Sequence, residues 1–298
     1  MTATAVGVIG AGAMGMGVVA SLRRAGIDTF VRDVRAQAER DAREFGAHVA
    51  ASPAAIARAC GIAIVLVVDA GEVDDVLFGV EGFAGAGAAG RVLVLSSTLP
   101  PDYVAGLAPR LATLGVALVD APVSGGPARA LSGTMTIMAA GPADALTRCE
   151  PVFARLAGKV FRVGNAAGDA ARFKIVNNLL AAVNLAAAAE ALSLARRAGL
   201  DPAEVAEVVG ASSGASWIFS DRVPRALAGD FAPRAATRIL AKDVKIAVDF
   251  AARLGVDATF ARAAQAAFDA TVSAGYGDAD DAAIIEWAAS RAGGNATT

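Results

Sequence analysis

Val6-Gly7-Val8-Ile9-Gly10-Ala11-Gly12-Ala13-Met14-Gly15 is the stretch that decides the fold. A short apolar run from Ala5 to Ile9 has strand length and leads straight into three glycines. Behind them Met14, Val18 and Leu22 fall four apart, the spacing of one helix face. Strand, glycine turn and helix start together make the opening of a dinucleotide-binding unit. Gly10 permits the tight turn, Gly12 lets backbone approach a pyrophosphate, and Gly15 lets helix and strand pack closely. The helix N-terminus then offers N–H groups to phosphate. A glycine turn in some other βα unit is the competing reading. Against it stands a second strand-like run, Thr29–Val31, that leads to Asp33, a carboxylate placed to accept from ribose hydroxyls. Gly10, Gly12, Ala13, Met14, Gly15 and Asp33 are therefore the candidate cofactor-binding residues. Asp33 would repel a 2′-phosphate, which predicts NAD over NADP; Arg32 and Arg35 flank it and soften that preference, leaving NADP as the alternative.

Outward from this unit, strand and helix patterns alternate. Strands are predicted at 5–9, 29–33, 62–68, 91–96 and 116–119, and helices at 13–25, 35–45, 53–60, 72–77 and 101–114. Such alternation predicts an α/β domain with a doubly wound, mostly parallel sheet. Two short strands near 134–139 and 159–163 extend it beyond a loop at 120–133. From Ala166 the β-branched runs stop and alanine- and leucine-rich helices take over. The pattern predicts a long helix at 166–197 stopped by Gly199, one capped by Asp201-Pro202, and others at 216–228, 235–254, 258–274 and 278–291. The implied division is a cofactor domain over 1–164 and an all-helical domain over 165–298 for substrate and oligomerisation, with a disordered tail from Gly293.

The 298 residues suffice for two domains. They are 55% hydrophobic, with a mean hydropathy of +0.52. No stretch reads as long and clean enough to span a bilayer, since Asn177, Asn178, Asn184 and Glu190 interrupt the best one, Ile175–Ala195. The first residues lack the basic start of a signal peptide. Cys60 and Cys149 sit in apolar, helix-like contexts and read as buried thiols, which suits the cytoplasm. A net charge of −2 without a basic cluster argues against nucleic acid and anionic membrane partners. Arg23-Arg24 and Arg196-Arg197 close helices, where the dipole favours them. The single histidine, His48, lies in a loop-like stretch at the periphery of the cofactor domain, so proton transfer falls to another residue. No Cys/His/carboxylate cluster offers a metal site.

Lys174 is the candidate acid/base. It shares a helix face with Asn178, four residues on, among Phe173, Ile175, Val176, Leu179 and Leu180. Burial there would disfavour the ammonium and leave an amine able to take a hydroxyl proton. Spacing alone equally allows a surface lysine whose stem covers apolar area. Ser124-Gly125-Gly126, after a strand end, forms either a carboxylate-binding nest or a plain turn. Ser96-Ser97-Thr98 ends a strand that should face the cofactor crevice, with helix capping by Thr98 as the other reading. Lys242-Asp243 and the pair Lys245/Asp249 fall on one helix, the latter as an exposed bridge. Trp217 and Phe219 either wall a substrate pocket or fill the helical core.

In order along the chain, Gly10–Gly15, Ser97-Thr98, Asp120–Gly126, Gly168 through Lys174 to Asn178, and Lys242-Asp243 resemble the 3-hydroxyacid dehydrogenase family, also called β-hydroxyacid dehydrogenases. The resemblance implies a Rossmann domain joined by a long helix to an all-α domain, in homodimers or homotetramers. It implies Lys174 as catalytic lysine, Asn178 as the asparagine that orients substrate, and Ser124, Gly125 and Gly126 as the carboxylate loop. Thr98 and Lys242 match cofactor-contacting positions; Val68 joins the candidate cofactor-binding residues and Trp217 the candidate substrate-binding ones. NADP-preferring relatives carry Asn-Arg where this chain has Asp33-Val34. Within the family, Gly12–Gly17, Val67-Val68, Ser216–Phe219, Gly229–Arg234 and Ala274–Gly277 look most like the branch that oxidises L-threonate. Lys174-Ile-Val-Asn-Asn follows the broader family instead, which leaves 3-hydroxyisobutyrate oxidation or reduction of 2-hydroxy-3-oxopropionate as alternatives. A scaffold that binds NAD(P) without catalysis is the rival from another class; the presence of the lysine speaks against it.

Overall fold

The computed structural model describes residues 5–85 and 87–293. Residues 1–4, part of the leader reading, and the tail beyond Gly293 lie outside them. Among the described residues the strands are β1 (Val6–Ile9), β2 (Thr29–Arg32), β3 (His48–Val49), β4 (Ile62–Val65), β5 (Val92–Leu95), β6 (Ala117–Asp120), β7 (Val123–Ser124), β8 (Met135–Ala140) and β9 (Ala157–Gly164). The helices are α1 (Ala13–Arg24), α2 (Ala36–Glu44), α3 (Pro53–Ala59), α4 (Ala70–Phe78), α5 (Pro101–Ala112), α6 (Gly126–Ser132), α7 (Ala143–Leu156) and α8 (Asp169–Arg197). There follow α9 (Pro202–Gly210), α10 (Trp217–Leu227), α11 (Thr237–Arg253), α12 (Thr259–Thr271) and α13 (Ala283–Gly293). Two compact units divide the chain at Met1–Lys174 and Ile175–Thr298, so the division falls inside α8, past Gly164.

In the first unit the strand order β3-β2-β1-β4-β5-β6 is parallel throughout. β8 then joins β6 antiparallel and carries β7 and β9. Alternate side chains leave opposite faces of each strand. Val8, Ile64 and Val94 accordingly pack with Val18, Val19 and Leu22 of α1 in one core. Ile9, Val65 and Leu95 pack with Ile56, Leu77 and Leu107 in the other. Each fully buried aliphatic side chain contributes roughly 1.5–3 kcal/mol. Both faces are covered, which is why these strands read as unbroken apolar runs. The order reverses between β1 and β4, and a crevice for ligand opens at the carboxyl ends of such a pair.

Several expectations need correction. His48 is in an edge strand, β3, where Nε2 meets Asp28 at 3.1 Å. The predicted loop 120–133 contains β7 and α6, and α7 follows despite Pro151 within it. The predicted helix 258–274 ends as α12 at Thr271 in a π turn, Val272–Tyr276, where Gly275 has φ +95°. α13 begins at Ala283 rather than 278. The residues before it are occupied elsewhere: Asp280 meets Arg225 at 2.8 Å, and Asp281 meets Arg222 at 2.5 Å, all four deeply buried or nearly so.

α8 also corrects the membrane reading. By length and composition it could cross a bilayer, with a hydropathy of 1.5 over its most apolar window, because alanine and leucine outweigh its few polar residues. Its Ala182, Leu185, Ala189 and Leu192 instead enter the core of the second unit with Phe219, Val223, Val244, Phe268 and Ile285. A core helix of a globular domain has this composition too.

Candidate active site

The glycine turn has the shape that a dinucleotide requires. Gly10 holds φ +91°, and a Cβ there would lie 2.3 Å from the Leu66 carbonyl oxygen. A Cβ on Gly15 would lie 2.0 Å from the Gly10 carbonyl oxygen, so helix and strand approach too closely for any side chain. Over Gly12 the space is open, and a Cβ would meet only Arg35 Nη2, at 3.9 Å. No side chain caps α1, so its N-terminal amides at Ala13 and Met14 border that open cradle. These residues fit NAD or NADP.

Asp33 is buried but not idle. Its Oδ2 accepts from Ala11 N (2.7 Å) and Arg35 Nη2 (3.1 Å), and its Oδ1 from Arg35 N (2.8 Å) and Nε (3.0 Å). Four donors meet a carboxylate with about four acceptor sites. A ribose hydroxyl therefore has to replace part of Arg35, which the motif alone does not reveal. Burial would raise the Asp33 pKa, but the Arg35 and Ala11 bonds outweigh it and hold the carboxyl below its usual range. Arg32 turns away to Glu39 (2.6 Å).

Across the crevice Val67 N donates to Ser97 Oγ (2.9 Å), tying the segments beyond β4 and β5 together. Val68 is exposed, and its N–H donates to Glu72 Oε2 (2.7 Å). Thr98 is half-buried between buried Ser97 and Leu99. Ser124 closes β7, and Gly126 opens α6; Gly125 and Gly126 have φ of +124° and +73°. α6 is pinned to α1 by Ser21 Oγ, which donates to the Ala130 carbonyl (2.7 Å). The helix that carries the nucleotide turn thus also steadies the Ser124–Gly126 loop.

Lys174 ends the first unit on α8, only 8% exposed. The helix bearing it is anchored by a residue whose role the sequence does not announce. Asp120, fully buried at the end of β6, accepts through Oδ2 from Gly168 N and Ala171 N, both at 2.9 Å. Burial pushes its carboxyl up to about 6 against these bonds. An acid ending an apolar strand was the available signal, since a carboxylate there needs partners.

In the second unit Asn178 is buried, and its Nδ2 donates to Asp243 Oδ2 (2.7 Å). Asn177 Nδ2 donates to Asn178 Oδ1 (2.9 Å), and Lys242 Nζ meets Asp243 Oδ1 at 2.7 Å. Asp243, noted in the sequence only as a neighbour of Lys242, thus holds both Asn178 and Lys242. Lys245 and Asp249 form the expected exposed bridge at 2.7 Å. Trp217 is half-exposed at the start of α10, with the Arg222 guanidinium 5.9 Å from its ring, whereas Phe219 is core. Cys60 and Cys149 are free and buried, and burial pushes both thiols up to about 12.

Comparison with known proteins agrees with this layout. Residues 5–164 match the NAD binding domain of 6-phosphogluconate dehydrogenase, and residues 168–288 the NAD-binding domain of NADP-dependent 3-hydroxyisobutyrate dehydrogenase. L-Threonate dehydrogenase of Cupriavidus necator is 43% identical over 281 residues, which cover 94% of this chain and 95% of that one. A crystal structure of 3-hydroxyisobutyrate dehydrogenase from Salmonella typhimurium superposes with a TM-score of 0.89 at 38% identity, covering 95% of this chain and 99% of that one. A structure of Psf3 in complex with NADP+ and 2-OPP gives 0.87 at 26% identity, covering 95% and 99%. The chain belongs to the 3-hydroxyisobutyrate dehydrogenase family and is an NAD(P)-dependent hydroxyacid dehydrogenase that acts on a CH–OH group.

Proposed function

We propose that this dehydrogenase oxidises L-threonate or a closely related four-carbon sugar acid, with Lys174 as the general base. The observation that carries the chemistry is the burial of Lys174, for a lysine is rarely buried without a task or a partner. The Ser124–Gly126 loop takes the substrate carboxylate. Asn178, one helical turn beyond Lys174, orients the reacting hydroxyl. Neutral Lys174 removes the hydroxyl proton at Nζ as the carbon gives up its hydride. NAD, when bound, supplies the hydride acceptor. Support for the four-carbon acid comes from the whole-length likeness to L-threonate dehydrogenase.

NAD is the preferred cofactor in this reading, because Asp33 exchanges Arg35 for ribose hydroxyls and repels a 2′-phosphate. Thr98, Val68 and Lys242 serve the cofactor, and Trp217 serves the substrate. The protein acts in the cytoplasm as a homodimer or homotetramer. Exposed Leu194 and Phe260 on the helical unit support association, and light scattering that returns a monomer would overturn it. The substrate test is initial-rate NAD reduction against L-threonate, D-erythronate, 3-hydroxyisobutyrate, glycerate, 4-hydroxybutyrate and serine. Selectivity for L-threonate is expected. Activity confined to a three-carbon or branched acid would keep the family chemistry and discard the four-carbon substrate.

A further inference from the structure

We propose that Asp120 is a positioning residue: its carboxylate clamps the first turn of α8 to the sheet and thereby sets where Lys174 stands. The proposal rests on the reading of Lys174 as the base.

Three observations carry it. Asp120 is 1% exposed, and one oxygen, Oδ2, takes both Gly168 N and Ala171 N at 2.9 Å. These amides belong to the entry of α8, where backbone donors lack helical partners and a negative charge is favoured. Secondly, the local carboxylate is engaged elsewhere. Asp169 accepts from Ala166 N at 3.2 Å, ahead of the helix, whereas the amides of Gly168 and Ala171 go to Asp120. What Asp120 adds is long range, a bond from β6 that registers the helix against the sheet. Gly168 tightens that register. It holds φ +96°, and a Cβ there would lie 2.9 Å from the Pro101 carbonyl oxygen.

Thirdly, the lever is short. Lys174 follows Ala171 by one turn, about 4.5 Å along the axis at 1.5 Å per residue. A shift of the first turn reaches it almost undiminished. Misplacing a catalytic group by about 1 Å can cost roughly 10²-fold in rate.

The test compares Asp120→Ala and Asp120→Asn in the wild-type and Lys174→Ala backgrounds, with folding checked by circular dichroism. NADH affinity is read by fluorescence titration. Asp120→Ala is expected to lower kcat roughly 10²-fold while KM and NADH affinity stay within about threefold. Asp120→Asn, which keeps an acceptor oxygen, should recover most of the loss. In the Lys174→Ala background, assayed with added ethylamine as a free amine, neither Asp120 change should lower the rate further. A folded Asp120→Ala variant with kcat within threefold of wild type would overturn the proposal. So would an equal loss in both backgrounds, since that marks a purely structural role. If Asp120→Ala does not fold, Asp120→Ser, whose oxygen is too short to reach the α8 amides, takes its place: a lower kcat in the wild-type background only supports the clamp, and an unchanged kcat or an equal loss in both overturns it. Near-wild-type turnover by Lys174→Ala alone would instead defeat the base assignment, a separate result.

Discussion

Asp33 and Arg35 show how one side chain alters the meaning of a motif residue. The motif assigns the carboxylate to ribose hydroxyls, but in the structure Arg35 fills most of its acceptor sites and lies beside Gly12. Truncation in Arg35→Ala should free Asp33, tighten NADH several-fold and weaken NADPH, shifting their affinity ratio by about tenfold, the scale of one charge-assisted bond. Fluorescence titration of both cofactors measures this, and an unchanged ratio would remove Arg35 from cofactor choice. Asp120 gives a pH signature with a definite sign. Burial raises its carboxyl from 3.8 to about 6, so the folded protein retains a proton that the unfolded chain releases in that window. Its contribution to stability is full below pH 3.8 and is lost as pH rises to 6. The Tm of Asp120→Asn relative to wild type should therefore improve from pH 4 to pH 6.5; a difference constant with pH would contradict the raised value.

At the scale of elements, the interface between α1 and α6 links the nucleotide turn to the loop proposed for the substrate carboxylate. A Cβ on Gly17 would lie 2.7 Å from Ala130 Cβ and 2.8 Å from Leu131 N. Gly17→Ala should cost about 1–3 kcal/mol through overpacking, read by thermal unfolding, and should raise KM for the acid more than for NAD. Equal effects on both would detach α6 from the proposed carboxylate loop. This helix also marks the limit of what the sequence discloses. β1, β4 and β5 were legible because both faces are buried, so Val6–Ile9, Ile62–Val65 and Val92–Leu95 are unbroken apolar runs. α6 was not, because it starts with Gly126-Pro127, which reads as a turn until Ser21 and Gly17 are seen to receive it. β3 and β7 are two residues each, too short for any period to register. Lys174 and Asn178 were legible as one face of a helix, but Asp120 and Asp243, which hold their surroundings, act through bonds between residues 48 to 65 positions apart.

At the scale of the whole molecule, a nucleotide sheet and a helical unit share one continuous helix, α8, with the proposed base on the sheet unit's side of the division. In the proposed reaction Lys174 moves the proton as a small hydroxy acid is oxidised. The most direct test is the rate of NAD reduction with L-threonate by wild type and Lys174→Ala, with NADH affinity measured on both. A loss of roughly 10²–10⁴-fold in kcat at unchanged NADH affinity is expected. Turnover by Lys174→Ala within a few-fold of wild type would contradict it.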